Sequence, residues 1–280
     1  MSSQFRPVAL VTGCSTGIGR ALMLELASKG YKVYAGVRRL ESLHGLNNDH
    51  IVPLQLDVNK PDQINQAVSQ IKHHEGRLNL LVNNAGYGAM GPLAELPLEQ
   101  FRAQLETNLV APLGVIQAFV PLLRKAKPAL VVNMGSVSGI LATPFSGAYC
   151  ASKAGLHLLS DALRMELKPF GIDVMVVQPG AIGTDFAANA SEQLSFTVKT
   201  EGSLYTPVRQ AIQARANASQ DHPTPAGVFA HKLVAEILAK SPKPVVRIGN
   251  GSFLLPALRY LLPASIRDAL LRRKFGLHRL

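Results

Sequence analysis

Tryptophan is absent from the 280 residues, and cysteine occurs only twice, at positions 14 and 150. Two cysteines this far apart exclude a disulfide framework or a cysteine-based metal centre, so no metal is expected. A chain of this length can bury a full core without such staples. Both thiols are expected to be reduced, packed side chains, which favours a cytoplasmic setting. Long apolar runs are missing too: nothing reaches the ~18 uninterrupted apolar residues of a membrane span. The nearest stretch, Leu109 to Leu123, is broken by Pro112, Gly114, Gln117 and Pro121 and reads as a core helix. The first residues lack the charged-then-apolar pattern of a secretory signal.

Acidic residues are scarce, with 18 Asp and Glu against 29 Lys and Arg, a net charge of +11. The excess is uneven. Residues 241–280 hold eight Lys/Arg and one acid, Asp268. The basic character therefore belongs mainly to the tail. Nucleic-acid binding would need a basic face interleaved with aromatic platforms, and is not expected.

What is present is an alternation of short apolar runs with amphipathic stretches. Strands are expected at 8–11, 32–37, 51–56, 78–82, 129–134 and 173–177, with a candidate seventh at 244–248. Helices are expected at 17–29, 62–72, 99–123 and 149–167. Strands this apolar, separated by helices, imply an α/β fold: a parallel sheet covered on both faces, with ligands bound beyond the carboxyl ends of its strands. Residues 1–250 read as one catalytic domain, within which the polar region 183–227 is a substrate-binding insertion or lid. Residues 251–280 form a basic, apolar tail. Ser265 is placed to cap a helix there. The tail either packs over the substrate mouth or a subunit interface, or lies on a membrane surface as a peripheral anchor.

After the first strand comes Thr12-Gly13-Cys14-Ser15-Thr16-Gly17-Ile18-Gly19. The spacing differs from Gly-x-Gly-x-x-Gly, but the physics is shared. Gly13 permits a tight turn, Gly17 and Gly19 let backbone approach a pyrophosphate, and the helix that starts here offers amides and a positive dipole end. The second strand ends Ala35-Gly36-Val37-Arg38-Arg39, with no acid for ribose hydroxyls. Arg38, helped by Thr16, can pair with a 2′-phosphate, so NADP(H) is expected over NAD(H). Asp57, with Val58 beside it, ends the third strand; it either reaches an adenine amino group or caps a turn. Asn83-Asn84-Ala85-Gly86 ends the fourth, its amides bound to cofactor or to neighbouring backbone.

Tyr149 and Lys153 stand four residues apart on a predicted helix and share a face. A nearby ammonium, together with a nicotinium ring, is expected to lower the phenol pKa and make it a proton-transfer group. Ser136 can hold a substrate oxygen beside it, with Ser138 as the competing hydroxyl. Asn108 sits mid-helix, where Asn is a poor helix former. It is either a solvated or back-bonding amide, or a residue that distorts the helix and holds a water near Lys153. Pro179-Gly180-Ala181-Ile182-Gly183-Thr184 follows the sixth strand and can wall a nicotinamide.

Taken in order, Thr-Gly-x-x-x-Gly-Ile-Gly at 12–19, Asn-Asn-Ala-Gly at 83–86, Asn108, Ser136, Tyr-x-x-x-Lys at 149–153 and Pro-Gly-x-Ile-x-Thr at 179–184 resemble the short-chain dehydrogenase/reductase family. The resemblance covers about residues 1–185 and the strand near 244–248. It implies a single Rossmann-type doubly wound domain with a seven-stranded parallel sheet, and a catalytic tetrad of Asn108, Ser136, Tyr149 and Lys153. It also implies a nicotinamide site built from Gly13, Ser15, Thr16, Gly17, Ile18, Gly19, Arg38, Asp57, Val58, Asn84, Ala85, Gly86, Tyr149, Lys153, Pro179, Gly180, Ile182 and Thr184. A homodimer or homotetramer is implied as well. Thr-Gly-Cys-Ser-Thr-Gly-Ile-Gly, Lys-Val-Tyr-Ala followed by Arg38, and Tyr-Cys-Ala-Ser-Lys are similar to the 17β-hydroxysteroid and retinol dehydrogenase-like branch. That similarity implies a hydrophobic substrate: a steroid, a retinoid or an acyl-chain ketone.

Overall fold

Side chains of a strand alternate between faces, and the first strand shows what that alternation does here. In β1 (Val8–Thr12) every residue is buried. Val8 and Leu10 point into one apolar cluster, while Ala9 and Val11 point into another on the opposite face. A strand apolar on both faces needs a layer of helices on each side, and the rest of the chain supplies them. The computed structural model describes residues 6–184 and 202–280.

The chain continues through α1 (Gly17–Ser28), β2 (Lys32–Val37), β3 (Ile51–Gln55), α2 (Pro61–Glu75) and β4 (Leu80–Asn83). Next come α3 (Leu98–Leu105), α4 (Ala111–Ala126), β5 (Ala129–Met134), α5 (Gly147–Leu167) and β6 (Ile172–Pro179). The remainder adds β7 (Ile182–Gly183), α6 (Arg209–Ala216), β8 (Thr224–Pro225), α7 (Ala226–Ile237), β9 (Val245–Ile248), α8 (Leu254–Leu261) and α9 (Ala264–Lys274). Seven strands form one parallel sheet in the order β3-β2-β1-β4-β5-β6-β9. Pro53 is tolerated in β3 because that strand lies at the sheet edge, where a missing N–H breaks no ladder. The expected α/β doubly wound domain and all seven expected strands are present, with ends shifted by no more than two residues.

On one face Leu22, Met23 and Leu26 of α1 meet Phe229, Leu233 and Val234 of α7 beneath the sheet. On the other, Ile64 and Ile71 of α2, Val115 and Phe119 of α4, and Leu163 of α5 pack together. The Leu109–Leu123 stretch is the core helix expected, although α3 and α4 are joined by a five-residue π turn, Glu106–Val110. From β1 the chain winds outward to β3, then returns across the sheet to β4 on the other side of β1. The carboxyl ends of β1 and β4 therefore diverge into a crevice, where ligands of such sheets bind.

Part of the 183–227 insertion, residues 185–201, lies outside the described residues. The remainder is more regular than a polar loop. Val208, Ile212 and Ala216 pack with Met90, Phe145 and Phe275 in a small third cluster. That cluster draws the end of the tail onto the body of the protein. Ser265 does not cap α9: Pro263 occupies the cap position, and Ser265 lies one residue inside the helix.

Candidate active site

The crevice opens into a cleft of about 1780 Å³ along the carboxyl ends of the strands. Of the residues expected at the site, all but Asn108 line it.

The first half is built by the turn after β1. Gly13 has φ +73°, a left-handed conformation that favours glycine, and the amides of Gly13 and Cys14 both donate to the Gly36 carbonyl (2.9 and 3.0 Å). Gly19 has a role different from the one expected. A Cβ there would collide with the Gly13 carbonyl and the Asn84 amide, so its bareness serves the packing of α1 against the turn rather than a ligand. Gly17 does face the cleft, with a would-be Cβ 3.1 Å from that of Thr184. Thr16 stands at the N-cap in extended backbone without capping α1, and the first turn carries no acid. The first amides of the helix and the exposed Ser15 and Thr16 hydroxyls thus face the cleft. An anionic pyrophosphate fits this end of a helix. Arg38 is exposed at the end of β2 and lines the cleft.

The turn after β4 is bound to the protein itself. Asn84 donates to the carbonyls of Thr12 (2.9 Å) and Gly13 (3.2 Å), and the amides of Asn84 and Ala85 both donate to the Thr12 hydroxyl (3.0 Å each). The Asn84 side chain thus meets neighbouring backbone, one of the two partners open to it, while the main-chain amides meet the Thr12 side chain. Asp57 likewise caps a turn, one oxygen accepting from the Asn59 amide (3.0 Å), while also lining the cleft next to the buried Val58.

The second half gathers Ser136, Tyr149 and Lys153. Ser136, just beyond β5, accepts from the Ser138 amide (3.1 Å), and its own amide donates to His157 Nε2 (3.4 Å). His157 fits here because Gly135 and Gly139 leave its ring room. Lys153 is buried, with Nζ donating to the Met134 carbonyl (2.7 Å) and standing 5.8 Å from the Tyr149 ring centre. Burial pulls the Lys153 pKa down to about 8. At Tyr149 burial opposes the expected lowering of the phenol pKa. Burial pushes it up to about 12, while a hydrogen bond with Ser136 and the charge of Arg215 pull the other way. The charge of Arg215 is one of the influences that lower the Tyr149 pKa, and Lys153 Nζ stands beside the ring.

Asn108 lies behind the cleft wall, in the π turn, and is fully buried. It clasps Tyr87, accepting from its amide (3.1 Å) and donating to its carbonyl (2.9 Å), and also donates to the Ser152 hydroxyl (3.1 Å). The helix is distorted at Asn108 as expected, but the side chain is not solvated. Gly86 lies between this amide and the lysine: a Cβ there would stand 2.9 Å from Asn108 Oδ1 and 3.7 Å from Lys153 Nζ.

The segment after β6 closes the cleft. Gly180 donates to the Ile248 carbonyl (2.9 Å), Ile182 and Gly183 pair with β8, and the Thr184 carbonyl accepts from Gln220 (2.7 Å). Cys14 and Cys150 are free and buried. Sequence reasoning passed over Tyr87, Asn133, His157 and Arg215, and quoted Thr12 in the glycine-rich motif without giving it a role. The Thr12 signal was present, directly before Gly13 at the end of β1; Arg215 lies in a polar stretch with no motif around it.

The short chain dehydrogenase family profile matches residues 7–195. NADPH-dependent 1-acyldihydroxyacetone phosphate reductase of Saccharomyces cerevisiae is 32% identical over 99% of this chain and 94% of its own length. Human 17-beta-hydroxysteroid dehydrogenase type 1 is 33% identical over 92% of this chain and 81% of its own. A short chain dehydrogenase from Burkholderia cenocepacia, solved in complex with NADP, superposes with a TM-score of 0.72 at 27% identity, covering 97% of this chain and 98% of that one. With the sheet order, the glycine-rich turn and the Ser136–Tyr149–Lys153 group on one cleft, these likenesses identify the chain as a member of the short-chain dehydrogenase/reductase family of oxidoreductases.

Proposed function

We propose that this protein moves hydride between NADP(H) and a carbonyl/alcohol pair on a lipophilic substrate. The observation that carries the reading is the convergence of Ser136, Tyr149 and Lys153 on the same cleft as the glycine-rich turn. When bound, the dinucleotide supplies or takes up the hydride. Gly13 to Gly19, Asp57 and Val58, Asn84 to Gly86 and Pro179 to Thr184 would cradle it, with Arg38 on the 2′-phosphate. Ser136 holds the substrate oxygen. Tyr149, protonated at neutral pH, gives its proton to that oxygen in reduction. Lys153 stands beside the ring as the cation that restores the proton, and Asn108 fixes the Tyr87 loop against α5. The alternative, a nucleotide-binding regulator without turnover, has no need of this set.

Preference for NADP(H) is supported by Arg38 and by relatives described as NADPH-dependent or solved with NADP. NAD(H) remains the competing cofactor in the test. A lipophilic substrate is supported by the apolar wall from Met90, Leu255, Leu258 and Phe275, and by relatives named for acyl and steroid substrates. Family likeness supports a homodimer or homotetramer. For the tail, its apolar inner face covers the cleft mouth, while exposed Phe253, Tyr260, Leu261 and Ile266 among basic residues favour contact with an anionic membrane surface.

The test is nicotinamide absorbance with a panel of hydrophobic ketones and secondary alcohols, each with both nucleotides. Turnover with NADPH is expected, falling by about 100-fold or more in Tyr149→Phe. No turnover of any substrate, or full activity in Tyr149→Phe, ends the reading.

A further inference from the structure

Arg215 on α6 lines the substrate half of the cleft, and its charge reaches Tyr149. Its Nε donates to the Thr143 hydroxyl (2.8 Å) and its Nη2 to the Ser146 hydroxyl (3.0 Å). Both partners are neutral. A guanidinium carries five N–H donors, so three remain, and among the described residues no carboxylate pairs with it. Cations drawn out of water are retained where an anion meets them. Thr143 and Ser146 fix the plane of the guanidinium through two of its donors, and the residue lines the cleft. Ser146 is itself held by the Thr143 carbonyl (3.0 Å), so the mounting is rigid. Lys274 adds a second cation to this wall, and the acid on this side, Asp221, is exposed and close to His222 (3.7 Å). The surrounding lining is apolar: Met90, Ala211, Leu255, Leu258, Leu271 and Phe275.

We propose that the substrate is an anionic amphiphile, an apolar chain bearing a carboxylate or a phosphate, whose charged group is bound by Arg215 while its carbonyl rests on Ser136 and Tyr149. This rests on the reading of the cleft as a carbonyl reductase site and narrows its substrate class. A planar fork with free donors suits the paired oxygens of either anion. The apolar wall takes the chain.

Calorimetric titration of the full chain with octanoate, octyl phosphate and octanol tests binding without requiring turnover. At least one anion is expected to bind about tenfold or more tighter than the alcohol, the scale of a charged hydrogen bond. The two anions distinguish the carboxylate from the phosphate. Arg215→Met, which keeps the length of the side chain but not the charge, is expected to abolish that preference, and Arg215→Lys to retain part of it. The basic tail is unchanged in both variants, so a preference that survives Arg215→Met belongs to the tail and overturns the proposal. Equal binding of all three ligands to the wild type also overturns it. A second arm compares kcat/KM for a medium-chain keto acid and its methyl ester. If Arg215 acts only on the acidity of Tyr149, Arg215→Met lowers both alike and the ratio stands, which again overturns the proposal. If neither ketone is reduced while the anion preference falls with Arg215, the reductase reading fails and the anion site stands.

Discussion

At the scale of single residues, the two groups expected to exchange a proton have opposite responses to burial. Loss of water raises a phenol and lowers an ammonium, and both occur here: Tyr149 to about 12, Lys153 to about 8. Reduction needs the Tyr149 proton, which stays in place through the neutral range, and a Lys153 cation to replace it. Its rate is therefore expected to fall as pH rises through about 8. Stability moves the other way. Between about 8 and the ordinary 10.5 the unfolded chain holds a lysine proton that the folded chain has released, so Lys153 adds stability as pH rises across that window. A reductive pH–rate profile that declines above pH 8 while the melting temperature does not fall with it checks this; a parallel decline counts against it. His157 gives the acid-side counterpart. Burial, then Lys153, pushes it down to about 4 from 6.5. As pH falls through that window the unfolded chain takes up a proton that the folded chain refuses, and stability drops. Protonation would also turn Nε2, the acceptor of the Ser136 amide, into a donor. The loss of melting temperature between pH 7 and 5 is expected to be smaller in His157→Gln.

At the scale of elements, amides tie the sheet to the helix that carries the chemistry. Asn83 donates to Asn133 (2.9 Å), Asn133 to Ser160 (2.9 Å) and Ser160 to the Leu156 carbonyl (2.6 Å), a buried chain running from β4 through β5 to α5. Asn133→Ala removes the middle partner, taking an acceptor from Asn83 and a donor from Ser160. A loss of about 1–3 kcal/mol in denaturant unfolding is expected. Periodicity made the seven strands and the long helices legible, because a strand covered on both faces is apolar throughout and a core helix repeats its apolar face. The glycine-rich turn and the Tyr149–Lys153 spacing were legible because each states a local geometry. Asn133 and His157 were not, because their partners are 27 and 21 residues away, and no local pattern announces a contact across a sheet. The effect of burial on Tyr149 was not legible for a related reason: spacing along a helix gives a neighbour but not the water removed from around it. Gly19 looked like a ligand contact because sequence shows a missing side chain without showing what stands in its place.

At the scale of the whole molecule, the tail brings basic residues and exposed apolar side chains together. Truncating the tail would be a poor probe, because Phe275 is buried and Leu271 and Leu258 wall the cleft. Replacing the outward residues avoids that. In Tyr260→Ser with Leu261→Ser, flotation with vesicles rich in anionic lipid is expected to drop several-fold, with turnover of a soluble ketone retained; undiminished flotation would show that these side chains do not hold the membrane. For the cofactor end, Arg38→Leu is expected to raise KM for NADPH by about tenfold, the scale of one charged contact, with little change for NADH.

The Thr12 hydroxyl, taking two amides from the opposite lip of the crevice, has a consequence for how specificity can change. One wall is stitched to the sheet before any guest arrives, so the nucleotide enters a mould already cast. The other wall is made of late helices leaning on one another, and substitutions among them can retune which guest is admitted while the mould stays intact.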